Sequence, residues 1–471
     1  MKKSLRTVFA SILLALALVF AFVGCSSEPN RYIVNISVVG DSIVAYYSDG
    51  TNQTLDTVEQ QKVTLSELYE EFKKIYGDDL TYEQFLKEYV KGEVSSDNSR
   101  AINKCLSSSV KFFTEFYETV VQEGLFGGQQ KVNRTGLYTG SGVIYKMDAE
   151  YTYMITNYHV VYSQYANAKN GSTKIANKIH CYIYGSESAP QQSGQTADGY
   201  VQYGYDAYAI PCEYAGGAVS ADIAIVRAKT SDILAINPSV TTAEFADSYY
   251  VGQTAIAIGN PEGQGISASE GIVSVDNETI SLNIDGTPRQ YRSLRMDTAI
   301  YHGNSGGGLF NTEGKLIGIT NAGDGTDQSI NFAIPLQIAK GAADNILSCY
   351  DGSAPVSVKV PKLGVNVVSE NSRYVYDKST GYGKIVETIT VRSVEKNSVA
   401  NKLGLETGCV LKSITVGGVK QDISRAFSIS DALLTARPGD ALSFTYLRGA
   451  SQEEQTTRAY TLTESDFVTV A

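Results

Sequence analysis

The stretch His302-Gly303-Asn304-Ser305-Gly306-Gly307-Gly308 constrains this chain more than any other, because it sets one hydroxyl nucleophile in a run of residues with almost no side chain. Glycines there allow tight backbone turns and let main-chain amides approach a substrate carbonyl. A serine in a glycine run is by itself a common turn; two upstream segments change its weight. Tyr153-Met154-Ile155-Thr156-Asn157-Tyr158-His159-Val160-Val161 is an apolar run that delivers a histidine near its end, and the chain has only 3 histidines from which to draw a general base. Ala221-Asp222-Ile223-Ala224-Ile225-Val226 puts an aspartate at the head of a β-branched strand signal. Carboxylates are poor strand formers, so one beside a buried strand needs a partner.

In chain order these residues are His159, Asp222 and Ser305, the order of chymotrypsin-like β-barrels and not of subtilisins or α/β-hydrolases. Further short motifs surround them: Gly140-Ser141-Gly142-Val143-Ile144, Gly259-Asn260-Pro261, Glu270-Gly271-Ile272-Val273-Ser274, Asp297-Thr298-Ala299-Ile300 and Asn331-Phe332-Ala333-Ile334-Pro335. Together the set resembles the trypsin-like proteases of the HtrA/DegP family. The resemblance implies a mainly β chain: a chymotrypsin-like double β-barrel, then a PDZ domain, with a small N-terminal α+β module.

A serine hydroxyl needs a neighbouring base to attack, and imidazole titrates near neutrality. His159 is the expected base, Asp222 the group that fixes its tautomer, and Ser305 the nucleophile. The N–H groups of Gly303 and Ser305 would face the developing oxyanion. His180 reads as a strand residue, and His302 sits too near Ser305 along the backbone to serve as its base. Asp297 competes with Asp222 but lies in the serine loop, at a family position that is not the triad acid. Ala299, Ile300 and Tyr301 are the expected pocket wall, with the segment from about Thr320 to Phe332 opposite. A small residue at 299 suggests aliphatic P1 side chains; Asp324 and Asp327 in the second loop weigh against it. Two departures from the family pattern stand out: Gly308 where Pro is usual, and Tyr301-His302 where Asn-Pro is common.

Lys2, Lys3 and Arg6, the apolar run Val8 to Val23 and then Gly24-Cys25 resemble a bacterial lipoprotein signal over 1–24. This run of 16 residues, apolar but for Ser11, falls short of the ~20 that span a bilayer. Lipidation of Cys25 would anchor the chain on the outer face of the cytoplasmic membrane. With 39 basic against 50 acidic residues and net charge −11, nucleic acid is a disfavoured partner. The cysteines Cys105, Cys181, Cys212, Cys349 and Cys409 lack metal spacing, so neither a metal nor a cofactor is expected. Cys181 and Cys212 are either a pair or separate buried thiols.

The expected domains are an N-terminal module and helical linker over 25–125, a protease over 126–345, a linker over 346–359 and a PDZ domain over 360–466. In the first, a hairpin is expected from Tyr32–Ile36 and Ile43–Tyr47, with turns at Gly40-Asp41 and Asp49-Gly50. Helices are expected over Leu65–Tyr76, Tyr82–Tyr89 and Val110–Val121. The aromatic cluster Phe112-Phe113-Thr114-Glu115-Phe116-Tyr117 has two readings, a homotrimer contact or packing on the barrel. Ser186 to Gly204 reads as a long loop between the His and Asp motifs that could overhang the cleft. Ser398 to Leu411 looks like the helix-then-strand signature of a PDZ domain, with Cys409 where Asp is usual. Leu363, Gly364 and Val365 match its carboxylate-binding loop. The leading expectation is an endopeptidase for unfolded proteins whose PDZ domain reads C-terminal peptides. The alternatives are a non-proteolytic PDZ-based binding or chaperone protein, and a regulatory protease with one dedicated substrate.

Overall fold

The computed structural model describes residues 33–39, 42–47, 52–57, 73 and 98–470, apart from 124–127, 168–173, 324–326, 328, 379–380 and 450–452. Two compact units result, Met1–Asp97 and Asn98–Ala471. In the first, β1 (Ile33–Val39), β2 (Ser42–Tyr47) and β3 (Asn52–Thr57) form an antiparallel sheet, so the expected hairpin gains a third strand. Its turns, the signal segment, Cys25 and both early helices, apart from Lys73, lie outside the described residues.

The second unit opens with α1 (Ser99–Leu106) and β4 (Ser109–Glu123). The helix expected over Val110–Val121 is therefore strand. Phe112, Phe113, Phe116 and Tyr117 mimic a helical repeat, but Val110 and Phe112 join the interior of a barrel while β4 pairs along its whole length with β5 (Gln129–Met147). Val, Phe, Tyr and Thr suit that pleated, half-buried surface, and tertiary pairing overrides the apparent period. Phe112 and Phe116 are buried in this packing and unavailable to a partner subunit. The barrel thus begins before residue 126.

The first barrel continues through β6 (Tyr151–Thr156), the one-turn α2 (Tyr158–Val161), β7 (Lys178–Ile183), a hairpin of β8 (Gln191–Gln195) and β9 (Val201–Gly204), β10 (Ile210–Ala218) and β11 (Ile223–Lys229), followed by α3 (Thr230–Ile236). Sheet order is β11-β6-β5-β4-β7-β10, and a β10–β11 pairing closes it. The long loop expected over 186–204 is thus the β8–β9 hairpin. It seats on the β4–β5 ribbon: Thr135 Oγ1 donates to Val201 O at 2.7 Å and Tyr117 packs on Tyr200 with centroids 4.6 Å apart. Cys181 and Cys212 face one another diagonally across β7 and β10, and both are free thiols.

A second closed barrel runs β12 (Thr254–Gly259), β13 (Ser267–Asn283), β14 (Pro288–Met296), β17 (Asn331–Pro335), β16 (Leu316–Gly323) and β15 (Gly308–Phe310) in spatial order. Strand alternation explains how one chain fills three cores. In β11, Ile223 and Ile225 face the core between the barrels, while Ala224 and Val226 face the first barrel's interior. In β12, Ile256 and Ile258 face the same seam and Ala255 and Ala257 the second interior. α4 (Leu336–Cys349) closes the seam with Ala339, Ala342, Ala343 and Ile346. The seam is where loops from both barrels meet.

After α4, β18 (Val356–Ser357) pairs parallel with Gly216–Gly217 of β10, and β19 is Lys359–Pro361. The last module holds β20 (Val365–Asp377), β21 (Tyr382–Val394), α5 (Val399–Leu403), β22 (Cys409–Val416), β23 (Val419–Asp422), α6 (Phe427–Leu434) and β24 (Ala441–Arg448) around its own core. β20 is its edge strand. Arg292 of β14 pairs with Asp431 of α6 and lies 4.1 Å from the Phe427 ring; Arg425 reaches Asp276 of β13 at 3.6 Å. These charges hold the module on the second barrel.

Candidate active site

β6 is followed by Asn157, whose extended backbone throws the chain into the single turn of α2, and that turn presents His159. β11 begins one residue after Asp222, which caps a 3₁₀ turn over Val219–Ala221 with φ +49. Few residues other than glycine hold that left-handed backbone, and it persists here because the surroundings fix it. Tyr158 N donates to Asp222 O at 3.1 Å and Asn157 Nδ2 to the same oxygen at 3.0 Å. From the second barrel, Tyr291 donates to Val219 O at 2.8 Å. The Asp222 carboxylate is fully buried and bound twice by one residue: His159 N donates to Oδ1 at 3.0 Å and Nδ1 lies 2.8 Å from Oδ2. Burial disfavours the His159 imidazolium, but the charge and hydrogen bond of Asp222 outweigh it, and the net result is a pKa above the usual histidine value. The His–Asp half of the site thus comes from one barrel.

Ser305 belongs to the other barrel, on the loop joining β14 to β15. Its carbonyl accepts from Ser141 N of β5 at 2.8 Å, and Ser141 Oγ donates to Gly303 O at 2.6 Å while accepting from Asn260 N at 2.8 Å. One small residue of the first barrel therefore ties the serine loop at two points. Thr320 of β16 supplies two more, its hydroxyl donating to Asn304 O at 2.6 Å and Gly307 O at 3.1 Å. Gly303 has φ +96, and a Cβ there would stand 2.2 Å from Asn260 O, so only glycine fits. Gly308 stands where a Cβ would meet the Phe310 ring at 2.3 Å, a physical reason for a small residue at that departure from the family pattern.

The N–H groups of Gly303 and Ser305 donate to no protein acceptor among the described residues. They are free to serve an external oxygen. The Ser305 hydroxyl donates to Asn321 O at 3.0 Å, and among the described residues no hydrogen bond joins it to the His159 ring. The fold brings His159 to Asp222 and carries Ser305 to the facing loop, with its hydroxyl turned aside. His180 stacks on Tyr205 at 3.8 Å, and burial pushes its pKa down to about 4. His302 is exposed, and Asp297 accepts from Ile272 N at 2.6 Å on the second barrel.

Of the three expected wall residues, Ile300 packs against the second barrel's core and Ala299 O accepts from Ser269 Oγ at 3.0 Å. Tyr301 lines a cavity of about 440 Å³ shared with Pro261, Glu262 and Ile266, which Ala299 and Ile300 do not reach. Asp324 lies outside the described residues. In the last module Leu363 is buried, Gly364 has φ +68 with its carbonyl bound by Glu395 N at 2.9 Å, and Val365 opens the edge strand β20. Where Cys409 replaces an expected Asp, the turn is held by Gly408 N donating to Val391 O at 2.9 Å and Thr407 Oγ1 donating to Arg392 O at 3.4 Å. Sequence reasoning gave no role to Ser141 or Glu262 and met Asn321 only within the Thr320–Phe332 segment expected to wall the pocket. Only the small-residue run Gly140-Ser141-Gly142 carried a signal, since a Cβ at Gly142 would meet Phe112 at 2.3 Å.

Residues 140–319 match the trypsin-like peptidase domain, a span that includes His159, Asp222 and Ser305. The serine protease Do-like HtrA of Lactococcus lactis is 27% identical over 378 residues, covering 75% of this chain and 80% of that protein. The serine protease Do-like HtrA of Bacillus subtilis is 27% identical over 324 residues, covering 67% of this chain and 62% of that protein. Among solved structures, the HtrA-type protease AlgW with decapeptide aligns with TM-score 0.44 and 20% identity, over 78% of this chain and 98% of that one.

Proposed function

Because this chain is an HtrA-like serine endopeptidase with a trypsin-like peptidase domain, we propose that it cleaves unfolded or damaged proteins outside the cytoplasm, through an acyl-enzyme formed on Ser305. The observation that carries the mechanism is the doubly bonded His159–Asp222 pair facing a serine loop with two unengaged N–H groups. Asp222 holds Nδ1 protonated, leaving Nε2 as the base. The Ser305 hydroxyl rotates from Asn321 O to Nε2, loses its proton there and attacks the scissile carbonyl. Gly303 N and Ser305 N receive the oxyanion, and His159 then returns the proton to the leaving amine.

Lipidation of Cys25 would keep the enzyme at the membrane, and the edge of β20 with Leu363, Gly364 and Val365 would take up C-terminal peptides as an added strand. The resting direction of the Ser305 hydroxyl favours an enzyme that waits for such a ligand. A homotrimer, implied by family resemblance, would have to use surfaces other than Phe112 and Phe116. The test is hydrolysis of fluorescent unfolded casein by the full-length chain and by its Ser305→Ala variant, each with and without C-terminal peptides. Turnover lost in the variant supports the reading. Equal background signals under every condition leave a non-proteolytic binding protein in its place.

A further inference from the structure

The cavity beside Tyr301 has an acidic wall and no basic one. It encloses about 440 Å³, and Pro261, Glu262, Gln264, Ile266 and Tyr301 are among its lining. Glu262 adopts φ +53, a left-handed backbone that residues with side chains seldom take up. Its N–H donates to His302 O at 2.6 Å. Since His302 precedes Gly303, a single backbone hydrogen bond ties the Glu262 main chain to the loop that carries Ser305.

The second carboxylate of the neighbourhood is already engaged. Glu187 accepts from Ile266 N at 3.0 Å and from Gly185 N at 2.7 Å, and Lys111 lies near enough to feel its charge. Glu262 itself is exposed, and its carboxylate has no hydrogen-bond or ion-pair partner among the described residues. A backbone-anchored, unpaired carboxylate thus shares a cavity with the apolar Pro261 and Ile266 and the aromatic Tyr301.

Resting on the reading of Ser305 as the nucleophile, we propose that this cavity is a substrate subsite flanking P1, and that Glu262 makes it select a lysine or arginine side chain. Such a side chain lays its methylene stem on Pro261 and Ile266 and keeps its cation in contact with water beside the carboxylate. The face of Tyr301, which is 43% exposed, is available to the same cation. Ala299 and Ile300 lie outside this cavity, so a basic preference here is compatible with an aliphatic residue at P1 itself.

The full-length chain is assayed against peptide sets in which Lys, norleucine or Glu occupies each position from P3 to P2′ in turn. One flanking position is expected to favour Lys over norleucine by about fivefold in kcat/KM, the scale of an exposed ion pair, with the ratio shrinking in 1 M salt as screening shortens to about 3 Å. Glu262→Gln keeps the backbone N–H and should bring that ratio to about one; Glu262→Lys should make the same position favour Glu. An unchanged ratio in Glu262→Gln, or no position that prefers Lys, overturns the proposal, and the Gln variant decides if the Lys variant does not fold. Cleavage that survives Ser305→Ala is a different failure, of the nucleophile assignment rather than of the subsite.

Discussion

The two halves of the site are held in opposite ways. The His159–Asp222 half is locked at its functional atoms, with both carboxylate oxygens spent on one histidine and a strained aspartate backbone bonded from α2. The Ser305 half is locked everywhere except at its functional atoms: Ser141 and Thr320 hold the loop carbonyls, while the hydroxyl is parked on Asn321 and two N–H groups stand unengaged. A buried charge must be paired before anything binds, because leaving it bare in a low-dielectric seam is costly. A nucleophile and an oxyanion hole must keep their bonding capacity for the substrate.

That contrast can be broken from either side. Ser305→Ala removes the one group without a substitute, and kcat should fall by about 10⁶-fold in a casein or peptide assay. Asp222→Asn leaves the shape but reverses the tautomer preference, with an expected loss of about 10⁴-fold. It also tests the electrostatics. As the proposed base, His159 would act only when neutral, so its raised pKa should place the acid limb of the kcat/KM profile above the usual histidine value, with activity falling as pH drops through it. In Asp222→Asn that limb should move to lower pH; an unmoved limb would mean that another group sets it.

Gly303→Ala attacks the second half. Its Cβ would lie 2.2 Å from Asn260 O, so the loop must shift and misdirect one N–H, at a cost of about 10²–10³-fold in kcat with little change in KM. Ser141→Ala should be milder. It strips Gly303 O and Asn260 N of a buried partner, which costs about 1–3 kcal/mol of stability by thermal melting. If kcat falls with it while the His159 limb stays in place, the bond serves the serine half alone.

Much of this site was legible in the chain because chemistry and local geometry restrict composition. A histidine after an apolar run, an aspartate heading a β-branched strand and a serine among glycines each announce themselves. Gly303 could be singled out for the same reason that makes it irreplaceable. The β4 strand was illegible because Phe112, Phe113, Phe116 and Tyr117 satisfy a helical spacing as well as a strand, and only the partners β5 and β7 decide. The β8–β9 hairpin was hidden by its polar composition; its order comes from bonds to the β4–β5 ribbon that no local pattern encodes. Ser141 and Glu262 were not singled out, nor Asn321 beyond its place in the expected pocket segment, because their contacts to the serine loop run largely through backbone atoms or across the seam.

The sequence by itself determined which groups exist and in which order they arrive: His159, then Asp222, then Ser305, each beside a strand signal, with glycines where a Cβ would collide. The tertiary structure alone decided which atoms are satisfied. Two barrels packed on Ile225, Ile256, Phe310 and Ile334 set the loops face to face, and that packing pairs His159 with Asp222 yet leaves the Ser305 hydroxyl on a backbone carbonyl. Side-chain identity is local, whereas hydrogen-bond satisfaction depends on what a neighbouring strand brings from far along the chain.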